Sequence, residues 1–486
     1  MLCDEEIVAR FLDASFQVTQ DVVDFIKEQD DPGLIDQIIA GAPQNSFVID
    51  GTSIAPVRSA HTPKKLRDGT RFLTDPTIEV LQGKENTAKG IRDFEEYVNY
   101  FKDRYTRHSR IMRGRIQPMP IEALGRNGRY RDEEISFTGM VSEIRNSAKG
   151  NKIVELEDPT ATMRVLFNKS RDGFEEAEKI LPDEVIGVKG KLSNDGNIFF
   201  ADTLIRPDIP INNAPFRSER PGKVVLISDV HVGSDTFLED AWHRFSDWIS
   251  AQDDIAYLLI AGDMVDGIGI YPNQDKELVI TNIYEQYRAF GEMLSVLPER
   301  ITIVLSPGNH DVVRGAEPQP AIPPEFREGY PPNCIWVENP ALVSLQGVRV
   351  LMYHGRSYDD MIGMIPGASY RHPEEIMEEM LKRRHLAPTY GMRTPIAPGR
   401  TDSLVIDPVP EILHTGHVHI SGIKRYRGVL MVNAGTWQSQ TAFQKQMNVE
   451  PTPAQAVVVD LQTLEPKVID FSDPSPGLST EIIHRN

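Results

Sequence analysis

Five short apolar runs in the second half of the chain end alike. "KVVLIS" leads into Asp229 and His231, and "IAYLLI" into Asp263. "ITIVLS" leads into Pro307, Gly308, Asn309 and His310, "VRVLMY" into His354, and "EIL" into His414, His417 and His419. Continuous apolar runs of this length read as strands buried on both faces. Ligands of open α/β sheets collect at the carboxyl ends of the strands, so five such loops should converge. Turn chemistry alone would explain Pro307-Gly308-Asn309. It does not explain five strands that each end on a carboxylate, an imidazole or an amide oxygen.

The donor set is oxygen and nitrogen with no thiolate, which suits Mn, Fe or Zn in a reactive site rather than a sulfur-held structural zinc. Asp229 and His231, like His417 and His419, lie two residues apart. In an extended segment such pairs point the same way and can grip one ion or neighbouring ions. Gly262, Gly308 and Gly416 precede ligands, where the backbone must turn sharply and nothing may crowd a substrate. His414 sits on the strand itself and faces away from His417, as a core residue or a support for the ligands. His243, on a helix, reads as ordinary.

The region around these runs alternates strand and helix over its first half and turns to strands and hairpins later. Two packed sheets with helices outside accommodate both halves over residues 221–475. Residues 133–207 carry three strands, a helix and two more strands, the order of an OB-fold barrel. Its Phe137, Phe167, Phe199 and Phe200 could all be core, which favours a structural or protein-docking barrel over a strand-binding groove. Residues 1–42 contain three short amphipathic helical segments, with Asp4 and Thr19 as N-caps, forming a docking module or an N-terminal extension. Residues 43–92 read as a flexible linker, 93–132 as a helical, basic connector and 476–486 as a tail. The fold class is thus multidomain α/β. A polar stretch at 311–334 also reads as flexible or ordered by a partner.

Net charge is −19 and the pI is near 5.1. A free-standing nucleic-acid binder usually has a basic balance, so phosphate-neutralising charge would have to come partly from another protein. One basic cluster stands out, Lys102 to Arg115, containing Arg107, Arg110 and Arg113. It reads as a solvated helix face or as a contact for phosphate. Arg356, and Lys382, Arg383 and Arg384 at the end of a helix flanked by His372 and His385, invite the same two readings. Cys3 and Cys334 form no C-x-x-C pair, which excludes a disulfide framework and fits a reducing, cytoplasmic setting. No apolar run is long enough to span a bilayer, and the acidic start argues against a leader peptide.

The ordered set "ISDVHVGS", "GDMVDGIGIYP", "SPGNHD", "YHGRSYDDMI" and "LHTGHVH" resembles the calcineurin-like metallophosphoesterase superfamily. With the OB region before it, the chain is similar to the small subunits of archaeal family D DNA polymerases. That resemblance implies a 3′–5′ proofreading exonuclease acting on a DNA 3′ end, with a large catalytic polymerase subunit as partner. It implies two divalent ions, Mn first, with Mg, Fe or Zn as alternatives. One ion would be held by Asp229, His231, Asp263 and His419. The other would be held by Asp263, Asn309, His354 and His417, with Asp263 bridging. His310 would serve the reacting phosphate or its leaving oxygen, and Asp311 would orient His310. The competing readings are a non-catalytic scaffold subunit and a phosphodiesterase for a non-DNA substrate.

Overall fold

The computed structural model describes residues 4–14, 16–29, 35, 38–39, 48–49, 77–84, 94–124, 133–446, 448–473 and 479–480. They fall into two compact units, 1–71 and 72–486. In the first, helices α1 (Asp4–Asp13) and α2 (Gln20–Gln29) bury Ile7, Phe11, Val22, Val23 and Ile26 together. Short strands β1 (Gln17–Val18) and β2 (Val48–Ile49) pair in parallel. Thr19 directs its hydroxyl to the Ile49 carbonyl at 3.3 Å rather than to its own helix, so it tethers β2 instead of acting as a side-chain cap. Asp4 is the first helical residue. Of the expected third segment only residues 35, 38 and 39 are described, and Ile35 and Ile38 join this core.

The second unit begins with a departure from expectation. Residues 78–84, inside the expected linker, form strand β3 (Ile78–Lys84). The alternation of Ile78, Val80 and Gln82 suits a half-covered strand, and it pairs antiparallel with the long strand β12 (Cys334–Leu345). The remainder of that linker, apart from residues 48, 49 and 77, lies outside the described residues. Helix α3 (Phe94–Met112) follows. A closed barrel then forms from β4 (Ile135–Asn146), β5 (Lys152–Glu157), β6 (Thr162–Phe167), β7 (Val185–Leu192) and β8 (Ile198–Ile205), with α4 (Phe174–Glu178) between β6 and β7. Phe137, Phe167 and Phe199 fill it, while Phe200 on β8 is exposed.

The expected pair of packed sheets is a single curled sheet. Strands β9 (Lys223–Ile227), β10 (Ile255–Ala261) and β11 (Thr302–Ser306) run parallel. The start of β12 continues this parallel set, and its far end pairs antiparallel with β13 (Val348–Tyr353). β13 then lies beside β14 (Ile412–Thr415), followed by β16 (Val429–Ala434) and β15 (Ser421–Tyr426). β17 (Gln455–Asp460) and β18 (Pro466–Asp470) extend the β9 side. A strand long enough to serve both halves lets the sheet fold over on itself. Val224, Leu226, Leu259 and Val304 from one half meet Val350, Met352, Ile412 and Val432 from the other. Their neighbours Val225, Ile227, Leu258 and Ile260 face outward under α5 (Glu239–Ser250) and α6 (Ile283–Ser295). α7 (Tyr358–Met364) and α8 (Pro373–Arg383) cover the opposite face. Both faces of the central strands are therefore buried, which is why their sequences lack alternation.

Residues 311–334 are not loose. Ile322 and Phe326 are buried in the core under α6, and Gln319 exchanges backbone hydrogen bonds with Asn339 of β12. A polar, proline-rich composition concealed a segment fixed by its backbone pairing.

The basic cluster on α3 has an internal use. Arg104 is fully buried and gives hydrogen bonds to Asp402 Oδ2 at 2.7 Å, to the Asp183 carbonyl of the barrel and to Tyr100. His385 donates to the same Asp402 oxygen at 2.8 Å, and His108 faces the Arg384 carbonyl at 3.1 Å. Arg107 and Arg110 reach Asp407. At the end of α8, Arg383 is buried on Glu184 and Glu379, Lys382 pairs with Glu378 and Glu379, and Arg384 is buried on the Ile406 carbonyl. Of the residues considered for phosphate contact, Arg113 stands exposed and Arg356 is half-buried beside the Gly315 carbonyl. Arg383 is enclosed and cannot reach a strand of DNA. His243 and His372 are exposed and near glutamates.

Two expectations follow for stability. Removing one partner of a buried ion pair leaves an uncompensated charge, so Asp402→Ala should lose about 3–5 kcal/mol in denaturant titration; a loss near zero would contradict this account of the α3 contact. Burial, helped by neighbouring charge, pushes His108 down to about 3 and His385 down to about 4. An unfolded imidazole takes its proton near 6.5, so between these values the unfolded chain binds more protons. Stability should therefore fall as pH drops from about 6.5 toward 4. His108→Gln keeps the donor and removes one titrating ring, so its urea midpoint should fall less between pH 7 and pH 5.

Candidate metal centre

Parallel strands β9, β10 and β11 and parallel strands β13 and β14 all end at one place, because the curled sheet brings the two sets of carboxyl ends together. The loops there are joined to one another through their backbones. Asp229 N donates to the Gly262 carbonyl at 3.0 Å, and His231 N to the Asp263 carbonyl at 3.1 Å. Gly416 N donates to the His354 carbonyl at 2.8 Å. Five sequence-distant loops thus become one wall.

The side chains meet accordingly. Ligand atoms of Asp229, His231 and His419 lie within 4.8 Å of one another, as do those of Asp229, Asp263 and His354, and those of His231, Asp263 and His310. Asn309 Oδ1 is 3.0 Å from His354 Nε2. His417 places its ring 5.1 Å from that of His354 and its backbone N–H on the Asp229 carboxylate. Every residue expected to hold an ion is at this wall.

The backbone there differs from the extended form expected of the D-x-H and H-x-H pairs. Asp229, His231, Asp263, His417 and His419 all have left-handed φ, between 50° and 72°. The alternation survives: Val230 and Val418, between the pairs, are buried in the two outer cores. Asp and His tolerate this region better than most residues, yet each such position costs about 1–2 kcal/mol. The glycines also answer to the ligands rather than to a substrate. A Cβ on Gly308 would come closer than 3.0 Å to Asp263 Oδ1, and one on Gly416 closer than 3.0 Å to Asp229 Oδ2.

Electrostatics decide what fits here. Asp229 and Asp263 are at most 2% exposed, and among the described residues neither pairs with a lysine or arginine. Burial opposes ionisation of Asp263, but His354, His310 and His231 outweigh it and hold its carboxyl well below the usual range. Burial likewise disfavours a charged His354, yet Asp263 and Asp229 push it up to about 10. Two buried carboxylates ringed by imidazoles need cationic charge, and divalent ions supply it with better geometry than protons. The donor set therefore fits metal, and Asp229 and Asp263 supply the oxygens shared between neighbouring groups.

Several supporting residues carried no motif in the sequence. Asp266 Oδ1 accepts from His231 Nδ1 at 3.0 Å, and the Asp266 carbonyl accepts from His310 Nδ1 at 2.7 Å. His354 Nδ1 is held by the Ala261 carbonyl at 3.0 Å, leaving Nε2 for an ion. Gln444 touches His419 Nδ1 at 2.8 Å, and Asp359 faces His417 Nε2 at 3.4 Å. The spacing in "GDMVDG" could have marked Asp266; Asp359 and Gln444 come from elements with no such signal. Asp311 does not orient His310. Its carboxylate accepts from Gly308 N at 2.8 Å, Met264 N at 3.3 Å and Tyr287 OH at 2.8 Å. It braces the β10 and β11 loops against α6, and the Asp266 carbonyl takes the orienting part. His414 is fully buried in the inter-sheet layer, consistent with a core position.

Asp266→Ala should weaken Mn²⁺ binding about 10–100-fold, the usual effect of losing a residue that orients a ligand. Gly416→Ala should do at least as much by displacing the Asp229 carboxylate. Calorimetric titration with Mn²⁺, alongside far-UV circular dichroism to verify folding, measures both; unchanged affinity in either variant would contradict the assignment.

Comparison with known proteins agrees with this geometry. Residues 224–421 match the B-type subunit family of DNA polymerases alpha and epsilon, and residues 135–201 match the OB-fold nucleic acid binding domain. The DNA polymerase II small subunit of Halobacterium salinarum is 38% identical over 96% of this chain and 98% of its own length. That of Methanothermobacter thermautotrophicus is 38% identical over 96% of this chain and its full length. That of Archaeoglobus fulgidus is 44% identical over 78% of each. With a barrel, a curled sheet and a histidine-carboxylate wall in the same order along the chain, the protein belongs to the family of DNA polymerase II small subunits.

Proposed function

We propose that the centre is a metallophosphoesterase site that removes nucleotides from a DNA 3′ end, and that the chain is the proofreading and assembly subunit of a two-subunit replicative polymerase. The observation that carries the reading is the convergence of Asp229, His231, Asp263, Asn309, His354, His417 and His419 on one wall, with His310 beside it. When bound, two divalent ions would supply Lewis-acid activation of water and of the phosphodiester. Asp229, His231, Asp263 and His419 would hold one, and Asp263, Asn309, His354 and His417 the other.

The chain's own part in the chemistry falls to His310. Its Nδ1 is occupied by the Asp266 carbonyl at 2.7 Å, which fixes a proton there. The mobile proton is therefore on Nε2. His310 N also donates to Asp263 Oδ1 at 2.8 Å, so the ring is registered to a carboxylate of the centre. Positioned this way, Nε2 protonates the 3′ oxygen that leaves when the terminal P–O bond breaks, or steadies charge on the phosphoryl oxygens. Arg356, next to the His354 loop, is the nearby cation suited to the following phosphate.

The polymerising centre belongs to a large catalytic partner, as the name "small subunit" of the relatives implies. Among the described residues no helix is long and apolar enough to cross a membrane.

His310→Ala should lower release of mononucleotides from labelled single-stranded DNA in Mn²⁺ at least about a hundredfold, the range for a lost acid–base group, with metal content unchanged. Wild-type protein that releases nothing, alone or with its large subunit, would instead support a scaffold role.

A further inference from the structure

The segment that follows Asp266 carries large apolar side chains out of the protein beside the catalytic histidine. Ile268, Ile270 and Tyr271 are 45%, 40% and 36% exposed. They are not a loose loop. Gly267 and Gly269 turn the chain with left-handed φ of 74°, and a Cβ on Gly267 would strike the His310 carbonyl. Ile270 N donates to Gln274 Oε1 at 2.9 Å, and Gln274, itself 1% exposed, donates to the Asp266 carbonyl at 2.8 Å. That carbonyl is the one that holds His310. Tyr271 OH is fixed to Glu277 at 3.0 Å, and its ring meets the His310 ring edge-on at 6.4 Å.

Three exposed apolar side chains within four residues, wired to the residue that orients the general acid, call for an occupant. We infer that Ile268, Ile270 and Tyr271 form a shelf that takes the flat face of the 3′-terminal nucleobase. The inference rests on the reading of the site as a DNA phosphodiesterase and adds what that site grips besides phosphate. Every base has an apolar face, so a shelf without hydrogen-bonding edges holds any of them, as an enzyme acting on all four nucleotides requires. A base must leave its duplex stack to lie on the shelf. That step is easiest for a mismatched end, so the shelf favours removal of unpaired termini.

The test uses the full chain in Ca²⁺ and a single-stranded oligonucleotide ending in 2-aminopurine, against the same strand ending in an abasic site. Wild-type protein should bind the base-bearing end about tenfold tighter or more, the scale of one base–aromatic stack, with a change in 2-aminopurine fluorescence. The double variant Ile270→Ser, Tyr271→Ala should lose both effects while Mn²⁺ affinity stays as in wild type. Equal discrimination in the two proteins overturns the shelf, as does a variant that keeps discrimination but no longer binds the large subunit. Discrimination at the shelf without cleavage of any 3′ end in Mn²⁺ would retain the shelf and reject the exonuclease reading. Cleavage without discrimination would do the reverse.

Discussion

Two carboxylates, Asp229 and Asp263, sit almost fully out of water with no lysine or arginine to balance them among the described residues. Much of the surrounding structure serves to make that tolerable. Imidazoles crowd round them, and the far nitrogens of those imidazoles are taken up by Asp266, the Ala261 carbonyl and Gln444. The five left-handed ligand positions have the same origin. Strain of this kind persists only where surrounding packing fixes it, and it gathers at functional sites. Here the packing is explicit: Val230 and Val418 anchor the ligand pairs in separate cores, and Asp311 clamps two loops to α6.

The same economy of charge appears away from the centre. A chain with net charge −19 keeps several of its arginines inside. Arg104 and Arg383 each connect barrel residues to the segments around α8, Arg104 through the Asp183 carbonyl and Arg383 through Glu184. Buried pairs of this sort add little net stability compared with apolar packing, but breaking one is severe. In the second unit they hold the barrel in register with the curled sheet. The cost is that little basic surface remains from the α3 cluster. Arg113 and Arg356 are left to meet phosphate, which fits a subunit that shares DNA contacts with a larger partner.

What the sequence made legible follows from what sequence can encode. The ligand loops were readable because each joins two strong local signals, an apolar strand and a change to donor residues. Barrel order was readable for the same reason. The curl was not, because joining two sheets depends on β12 being long enough to pair differently at its two ends, and nothing local in Cys334–Leu345 announces two partners. Left-handed φ at Asp229 or His417 is invisible without the neighbouring loop. The fates of Arg104 and Arg107 were hidden because their acidic partners lie about three hundred positions away. Asp311 misled because adjacency to His310 was read as contact, while its carboxylate turns to Tyr287.

The central claim is that one wall built from five loops holds two cations that share a buried carboxylate. Anomalous diffraction from crystals soaked in Mn²⁺ tests it directly. Two peaks about 3.5–4 Å apart, flanked by Asp229 and Asp263 with His354 and His419 on either side, are predicted. A single peak, or manganese bound elsewhere with these carboxylates empty, would contradict the account.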